Sequence, residues 1–363
     1  MDAVAVRAVL ARAPGLLAGH LHSLVTAAGG DLTRVLELST LNAIDLPRAA
    51  HDFLIFPDLS RLESDLGWIH ASGAHLLAST DTDYPAQLRS LADSPAVLFV
   101  LGNPRTLAGP QLAMVGARKA SELGRRTARE FASDLARAGL TITSGLALGI
   151  DAASHEGALA AKGATVAVCA TGLDRVYPTQ HIGLAARIRE RGALVSEFPP
   201  GTAPRKANFP QRNRLISGLS RGVLVVEAAL RSGSLITAHL AALQGREVFA
   251  IPGSRRDPLF SGCHKLIQDG ATLVAEPVQV LSKLKFPLSN EALVHRRGRP
   301  GAPAAMDKGY EMLLDAVGFE PATIDVIGVR TGFSGATIAS MLLVLELEGR
   351  IAPYPGGRFG RIP

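Results

Sequence analysis

The segment RKANFPQRNRLISGLS (205–220) places four cationic side chains around one aromatic ring. The segment contains no Asp or Glu that would neutralise these charges. A salt-bridged surface interleaves acidic residues with basic ones, and a buried core has no use for unpaired cations. The cations are Arg205, Lys206, Arg212 and Arg214, and the ring is Phe209. The composition of this segment therefore predicts a binding partner that is an anion.

A structural interpretation of the same segment stays open beside this one. Phe209 could belong to the core, and Arg212 or Arg214 could pair with Glu197 or Glu227, which end two of the predicted strands. An ion pair of this kind would use the arginines inside the protein and leave fewer cations for a ligand.

Three further segments place Gly or Ser directly after an apolar run. They are MVGARKA (114–120), TSGLALGIDAASH (143–155) and EAALRSGSLITA (227–238). Glycine lets the backbone approach a ligand closely, arginine offers a planar fork to phosphate, and the first turn of a helix presents free N–H groups. The predicted phosphate contacts in these loops are Gly116, Arg118, Ser144, Gly145, Ser232, Gly233 and Ser234.

The elements that carry these loops are short apolar runs that alternate with amphipathic stretches. The runs include QLAMVG (111–116), LTITSG (140–145), ATVAVCATG (164–172), ALVSEF (193–198) and GVLVVEA (222–228). Strands that are apolar throughout are buried on both faces, which favours a parallel sheet covered by helices on both sides. The pattern predicts an α/β fold with a Rossmann-type, doubly wound, mostly parallel sheet, which binds ligands at the carboxyl ends of its strands.

The motifs of the common nucleotide and hydrolytic enzymes are missing from this sequence. It has no GxGxxG fingerprint, no P-loop lysine pattern, no nucleophile elbow and no spacing typical of a metal site. Asp151 and His155 lie four residues apart on a predicted helix, which fits either acid–base chemistry or a structural hydrogen bond. The missing motifs therefore disfavour an NAD or ATP enzyme, and we predict no cofactor and no metal. Cys169 and Cys263 read as free thiols.

The regions on either side of the predicted sheet have textures of their own. Residues 1–75 show helical spacing, with helices expected at 16–30, 31–38 and 58–73. Residues 284–307 mix Pro, Gly and Arg and read as a linker. Three helices and a hairpin in 308–363 are typical of a winged helix. The domains predicted are thus 1–75, 76–283 and 308–363, with the linker 284–307 between the last two.

The bulk properties agree with a binding protein of the cytoplasm. A chain of 363 residues suggests two or three domains, and its net charge of +6 favours a polyanionic partner. No apolar window approaches a membrane span, and the N-terminus does not resemble a secretory signal. Phe209 among cations suits a single strand, because the base faces of a duplex are already covered.

Taken together, the motifs resemble those of one family across nearly the whole chain. The matching stretches include DYPAQL (83–88), MVGARKA, TSGLALGIDAASHEGAL (143–159), GLDRVYP (172–178), SEFPPG (196–201), FPQRNRLISGLS (209–220) and LIQDGA (266–271). The sequence is similar to the DNA-processing protein A (DprA, or Smf) family of bacteria. The N-terminal helices resemble the sterile-alpha-motif-like domain of some members, and residues 309–361 resemble the family's winged-helix tail.

The resemblance implies a protein that is not an enzyme: it binds incoming single-stranded DNA, protects it during natural transformation and loads the RecA recombinase onto it. It also implies a homodimer formed through the Rossmann-type domain. The DNA contacts implied or predicted are Arg118, Arg205, Lys206, Phe209, Arg212, Asn213 and Arg214. The sequence departs from the family pattern at Ala117, where Ser is usual, and at His181 and His264, where Asn is frequent.

Two other classes of function remain as alternatives at this point. Related Rossmann-type enzymes cleave nucleoside monophosphates with a PGGxGTxxE loop, but the corresponding strand here continues as EAALRSGSLITA (227–238). A winged-helix transcription regulator would read duplex DNA with its third helix. The start of that helix, SGATIAS (334–340), has no Arg or Lys, which favours protein contact or weak DNA contact.

Overall fold

The computed structural model describes residues 1–287, 308–318, 320–347 and 350–361. The chain divides into two compact units, Met1–Ser289 and Asn290–Pro363. Of the linker predicted at 284–307, residues 288–307 lie outside the described residues.

A nine-stranded sheet forms the centre of the first unit within the described residues. Its strands are β1 (His75–Ala78), β2 (Val97–Gly102), β3 (Gln111–Val115), β4 (Thr141–Ser144), β5 (Thr165–Val168), β6 (Ala193–Ser196), β7 (Gly222–Val225), β8 (Glu247–Ala250) and β9 (Thr272–Leu273). Their order is β1-β2-β6-β5-β4-β3-β7-β8-β9. All neighbours from β6 to β9 are parallel, whereas β1 and β2 add an antiparallel edge.

Helices cover both faces of this sheet. They are α1 (Ala3–Arg12), α2 (Ala18–Ala27), α3 (Leu38–Asn42), α4 (Arg48–Ile55), α5 (Leu59–Ser72), α6 (Ala86–Arg89), α7 (Glu122–Arg137), α8 (Ile150–Ala160), α9 (Ile182–Arg191), α10 (Asn208–Gly218), α11 (Ser234–Leu243), α12 (Ser261–Gln268) and α13 (Pro277–Lys283). Along β3, Leu112 and Met114 pack toward α7 and α8, whereas Ala113 and Val115 pack toward α10 and α11. Every residue of β3 is buried, as expected for a strand with two apolar faces. The predicted Rossmann-type fold is confirmed.

The path of the chain brings the predicted loops to one edge. From β3 the chain moves outward through β4, β5 and β6, and then returns to the other side of β3 with β7. Because β3, β4, β5 and β7 are parallel, the loops that follow them meet at the carboxyl edge of the sheet. The crevice between β3 and β7 is the position at which folds of this kind usually hold a ligand.

The N-terminal helices pack on the sheet and share its core. Val6 and Leu21 belong to the same buried cluster as Phe99 of β2 and Ile188 of α9. Residues on both sides of the predicted boundary at 75–76 therefore lie in one compact unit, and the separate N-terminal domain stays a prediction. The helix expected at 31–38 is wrong, since only a 3-10 turn (Leu32–Arg34) and the first residue of α3 fall there.

The second unit is a small helical domain with a three-stranded sheet. Its elements are α14 (Lys308–Val317), β10 (Ala322–Thr323), α15 (Ile324–Thr331), α16 (Gly335–Leu347), β11 (Ile351–Tyr354) and β12 (Arg358–Arg361). Gly356 and Gly357 have positive φ angles and form the turn of the β11–β12 hairpin, as the sequence predicts. The short strand β10 completes the sheet. The winged-helix prediction is confirmed.

None of the single helices that the structure describes is both long enough and apolar enough to cross a membrane. One pair of helices, Ile324–Thr331 and Gly335–Glu346, reaches that length and composition only when both are taken together across a bend of 106°.

Candidate nucleic-acid interface

Three side chains from separate loops form an exposed stack at the carboxyl edge of the sheet. Arg118 follows β3, Tyr177 lies in the long loop after β5, and Phe209 begins α10. The guanidinium carbon of Arg118 lies 5.3 Å from the centroid of the Phe209 ring. The centroids of Tyr177 and Phe209 are 5.8 Å apart, with the rings tilted by 58°. We call these three residues the aromatic–arginine stack.

The stack is accessible to a ligand. Arg118 is exposed, Phe209 is half-buried and Tyr177 is 46% exposed. An arginine over a ring face keeps its outer N–H groups free for phosphate, and the contact itself stabilises the pair by about 0.5–1 kcal/mol at an exposed site. A ring that presents one face outward can stack on an unpaired base.

Exposed cations surround this stack. Arg205 and Lys206 lie just before α10, and Lys119 follows Arg118; all three are exposed. Within the part of the chain that the structure describes, Arg118, Arg205 and Lys206 form no ion pair with a carboxylate. Arg175, next in the loop that carries Tyr177, pairs with Asp174 at 3.0 Å. The excess of positive charge predicted from the sequence is present here, with Arg118, Arg205 and Lys206.

Arg212 does not belong to this surface, which corrects its prediction as a DNA contact. It is 4% exposed, and its guanidinium donates to Gly145 O at 2.6 Å and to Val168 O. These carbonyls follow β4 and end β5, where the sheet no longer supplies N–H donors. Burial lowers the pKa of Arg212, and the charge of Asp151 opposes that shift. The side chain is a structural donor.

Asp151 completes the arrangement around Arg212. Its Oδ2 accepts the backbone N–H groups of Gly145 at 3.0 Å and Ala147 at 3.2 Å. Burial raises the pKa of Asp151, while the Arg212 charge and these N–H donors act in the opposite direction. Asp151 thus accepts the N–H groups of this loop, while Arg212 donates to its carbonyl at Gly145.

Arg214 also points inward, so its prediction as a DNA contact is corrected as well. Its guanidinium pairs with Glu197, and both side chains are 9% exposed. Asp93 approaches the same arginine at 3.6 Å. Burial raises the pKa of Glu197, and the Arg214 charge opposes that shift. The structure thus shows the alternative interpretation, in which Arg214 pairs with Glu197. Asn213 is half-buried on α10, and its role as a DNA contact stays a prediction.

Two of the three predicted phosphate loops are packed against protein atoms. Ser144 is fully buried and donates to Met114 O at 2.6 Å. A Cβ atom on Gly145 would lie 2.5 Å from the Arg212 guanidinium, and one on Gly116 would lie 2.6 Å from Ile150. Ser144 and Gly145 are buried and their polar groups are hydrogen-bonded inside the protein, so both are corrected from phosphate contacts to structural residues. Gly116 is half-buried, and its role as a backbone contact to phosphate stays a prediction.

The third predicted loop remains open. Gly233 is exposed, and no atom lies within 4 Å of the Cβ that it lacks. The hydroxyls of Ser232 and Ser234 are 2.6 Å apart, and Ser234 begins α11. The N–H groups of Ser234, Leu235 and Ile236 already donate to Ser232 and Gly233 within this turn. The role of the exposed loop in phosphate binding stays a prediction.

Glu227 fills the crevice between β3 and β7. It is fully buried, and its carboxylate accepts the backbone N–H of Ser121 at 2.9 Å together with the Ser121 hydroxyl. A Cβ on Gly124 would lie 2.2 Å from this carboxylate, so the first turn of α7 packs directly on it. Dinucleotide-binding folds place a pyrophosphate at this helix N-terminus. Here a side-chain anion occupies that position.

The predicted pair of Asp151 and His155 does not form a mutual hydrogen bond. His155 is fully buried, and its Nδ1 lies 2.7 Å from the Thr165 hydroxyl. Burial lowers the pKa of His155 to about 3, so the ring is neutral at physiological pH. The structural interpretation of His155 is supported, although its partner is Thr165. Cys169 and Cys263 are free, buried thiols.

Tyr177 is a functional candidate that the sequence analysis missed. It lies in GLDRVYP (172–178), one of the stretches that resemble the family. A single aromatic residue in a loop carries little signal by itself, since exposed rings are common. Its neighbour Arg175 and its position after a predicted strand were the available clues.

The fold and this edge define a class: a Rossmann-type binding protein with a basic, aromatic surface and a winged-helix unit. The family DNA recombination-mediator protein A matches residues 75–285, and the DprA winged helix domain matches residues 297–357. The chain therefore belongs to the DprA/Smf family, as the resemblance in the sequence indicates.

Individual relatives agree with this family over most of their length. The Smf protein of Escherichia coli K12 is 44% identical over 93% of this chain and 93% of its own. A solved structure of DprA from Streptococcus pneumoniae has a TM-score of 0.65 and 36% identity, covering 77% of this chain and 97% of that one. DprA of Helicobacter pylori, whose structure concerns its single-stranded DNA binding mode, has a TM-score of 0.54 and 28% identity, covering 60% and 97%.

The buried position of Arg212 leads to a prediction about stability. Replacing Arg212 with Ala removes the donor to two buried carbonyls and leaves Asp151 without its cation, so we expect a loss of about 3–5 kcal/mol in the free energy of unfolding. Arg205→Ala is the control and should change it by less than about 0.5 kcal/mol. Urea unfolding measures both; equal stability of the two variants contradicts the buried role.

A second prediction concerns pH. His155 has an ordinary pKa of 6.5 when unfolded and about 3 when folded, so below pH 6.5 the unfolded state binds the extra proton. The free energy of unfolding should then fall by up to about 1.4 kcal/mol per pH unit between about pH 6 and pH 5 because of this residue. In His155→Gln the fall should be shallower. Parallel curves for the two proteins, measured by urea unfolding, would contradict it.

Proposed function

We propose that this protein binds single-stranded DNA along the carboxyl edge of its sheet. The observation that carries the proposal is the aromatic–arginine stack, in which Arg118 and Tyr177 flank the half-buried ring of Phe209. Arg205 and Lys206 add exposed positive charge beside it. A base would stack on the ring system, while its flanking phosphates would meet the cations.

The geometry favours an unpaired strand over a duplex. Aromatic residues at an accessible edge can reach base faces only when those faces are not covered by neighbours in a double helix. The exposed cations come from two separate loops, the one after β3 and the one before α10, so they are spread along the edge and not gathered at a single point. The related DprA of Helicobacter pylori, which has a single-stranded DNA binding mode, supports the same assignment.

The proposal includes the further roles that the family suggests. The protein would act in DNA processing during natural transformation, protect the incoming strand and load RecA onto it, as a cytoplasmic homodimer formed through the Rossmann-type domain. Membership of the DprA/Smf family is what supports these parts. In this proposal Arg118, Arg205, Lys206, Phe209 and Tyr177 contact the DNA, and the exposed Ser232–Ser234 loop contacts one phosphate.

An enzyme that cleaves nucleotides receives less support. Glu227 follows β7 and lies at the crevice, but its side chain is fully buried and already accepts two hydrogen bonds from Ser121. Its carboxylate binds Ser121, the N-cap residue of α7, and is therefore not free to act on a sugar or to coordinate an attacking water. We propose a binding protein without catalytic residues.

The salt dependence of binding tests the cation contacts. For single strands, the logarithm of affinity falls with the logarithm of salt concentration with a slope of about −0.7 per phosphate contact. The double variant Arg118→Ala, Lys206→Ala should reduce the magnitude of this slope by about 1.4, measured with oligo-dT by fluorescence anisotropy. Arg126→Ala is the control, since Arg126 pairs with Glu130 on α7. An unchanged slope in the double variant contradicts the proposed contacts.

Replacing the ring tests the stacking separately. Phe209→Ala should weaken oligo-dT binding by about 1–3 kcal/mol, because a base loses its aromatic partner. Phe209→Tyr keeps the ring and should stay close to the wild type. Titration of both variants against the same oligonucleotide measures the difference, with urea unfolding as the check on folding. Wild-type affinity in Phe209→Ala shows that the ring does not stack on DNA.

A further inference from the structure

The N-terminal helices hold the loop that leads into the DNA surface. This loop, residues 199–207, ends with Arg205 and Lys206. Arg12 of α1 donates from Nη2 to Pro200 O at 2.9 Å. The same guanidinium forms a two-point ion pair with Asp65 of α5, whose side chain is 3% exposed. Because an arginine–carboxylate pair of this geometry fixes both partners, α1, α5 and the loop are held as one assembly.

The other side of the loop is tied to the segment that carries Tyr177. Gly201 donates its N–H to Asp174 Oδ1 at 2.9 Å, and Gly172 donates its N–H to Thr202 O at 3.1 Å. Three residue steps separate Asp174 from Tyr177, which corresponds to at most about 11 Å of chain. Gly201 and the aromatic–arginine stack therefore lie along one continuous surface.

Arg61 adds an unpaired cation to this surface. It precedes Asp65 by four residues on α5, so the two side chains share the face of the helix that meets the loop. A terminal nitrogen of its guanidinium lies 3.8 Å from the position that a Cβ on Gly201 would occupy. Arg61 is exposed, and among the described residues its guanidinium forms no ion pair. Asp58 accepts the backbone N–H of Arg61 instead.

We propose that Arg61 is a further DNA-contact residue, through which the N-terminal helices bind a phosphate of the same strand that crosses the aromatic–arginine stack. The inference rests on the proposed function and extends it beyond residues 75–285, the part that the DNA recombination-mediator family matches. The ligand is the sugar-phosphate backbone of an unpaired strand. The N-terminal helices then have two roles: Arg12 positions the loop, and Arg61 lengthens the binding path.

Oligonucleotide length distinguishes this contact from those at the stack. Arg61→Ala should weaken binding of a long oligo-dT, of about 20 nucleotides, by about three- to tenfold, and lower the magnitude of the salt slope by about 0.7. A short oligo-dT that occupies only the stack should bind Arg61→Ala as it binds the wild type. Arg34→Ala is the matched control, since Arg34 also lies among the N-terminal helices but is paired with Glu37 at 2.8 Å.

The outcomes separate this proposal from the proposed function. If Arg61→Ala and Arg34→Ala bind the long oligonucleotide equally, while the Arg118, Lys206 double variant is impaired, the Arg61 contact is wrong and DNA binding at the stack stands. If the wild type fails to bind either oligonucleotide, both proposals fall. Arg61→Lys keeps the charge and should recover most of the affinity, which excludes a folding defect as the cause; no recovery in a folded Arg61→Lys, as judged by urea unfolding, counts against a phosphate contact.

Discussion

A buried guanidinium holds together the edge of the sheet that carries the aromatic–arginine stack. Arg212 reaches from α10 to the carbonyls of Gly145 and Val168, which lie where β4 and β5 end. Each of these acceptors, left without a donor in the interior, would cost about 1–3 kcal/mol. A buried cation also needs a compensating charge, and Asp151 supplies it while accepting N–H groups of the same loop. The Arg212 guanidinium and the Asp151 carboxylate together thus hold two strand ends and one loop.

The position of the ligand-facing residues follows from this anchor. Phe209 precedes Arg212 by three residues on α10, nearly one helical turn, so fixing Arg212 also fixes the ring at the mouth of the sheet. Arg205 and Lys206 come before the helix and extend beyond the edge. The cations of this segment therefore divide by their place on the helix: the ones on its inner face support the sheet, and the ones before it remain available for phosphate.

The packing at this edge explains why the crevice, which holds a dinucleotide in many folds of this type, is filled by a side chain here, while the exposed cations lie in the outer loops. The carboxylate of Glu227 occupies the N-terminus of α7, and Gly124 lets the helix pack against it without a side chain in between. A carboxylate at this position repels a pyrophosphate, and it occupies the backbone N–H of Ser121, the N-cap residue of α7. Exposed cations remain in the outer loops around Arg118 and Lys206, where a long polymer can follow the surface.

The sequence by itself determined the architecture, and its composition predicted an anionic ligand. Strands apolar on both faces can only be buried between helices, and three helices before a Gly-Gly hairpin have few other arrangements, so both folds were predictable. The family resemblance implied Arg118, Lys206 and Phe209 as DNA contacts. Only the tertiary structure decided which arginines are exposed and which are buried. Glu197, Asp93 and Asp151 are distant in sequence from Arg212 and Arg214, and folding brings them to these arginines. Composition gives the number of charged side chains in a segment but not the direction in which each one points. For the same reason, neither the place of Tyr177 in the stack nor the contact of Arg12 with the 199–207 loop could be predicted from local spacing.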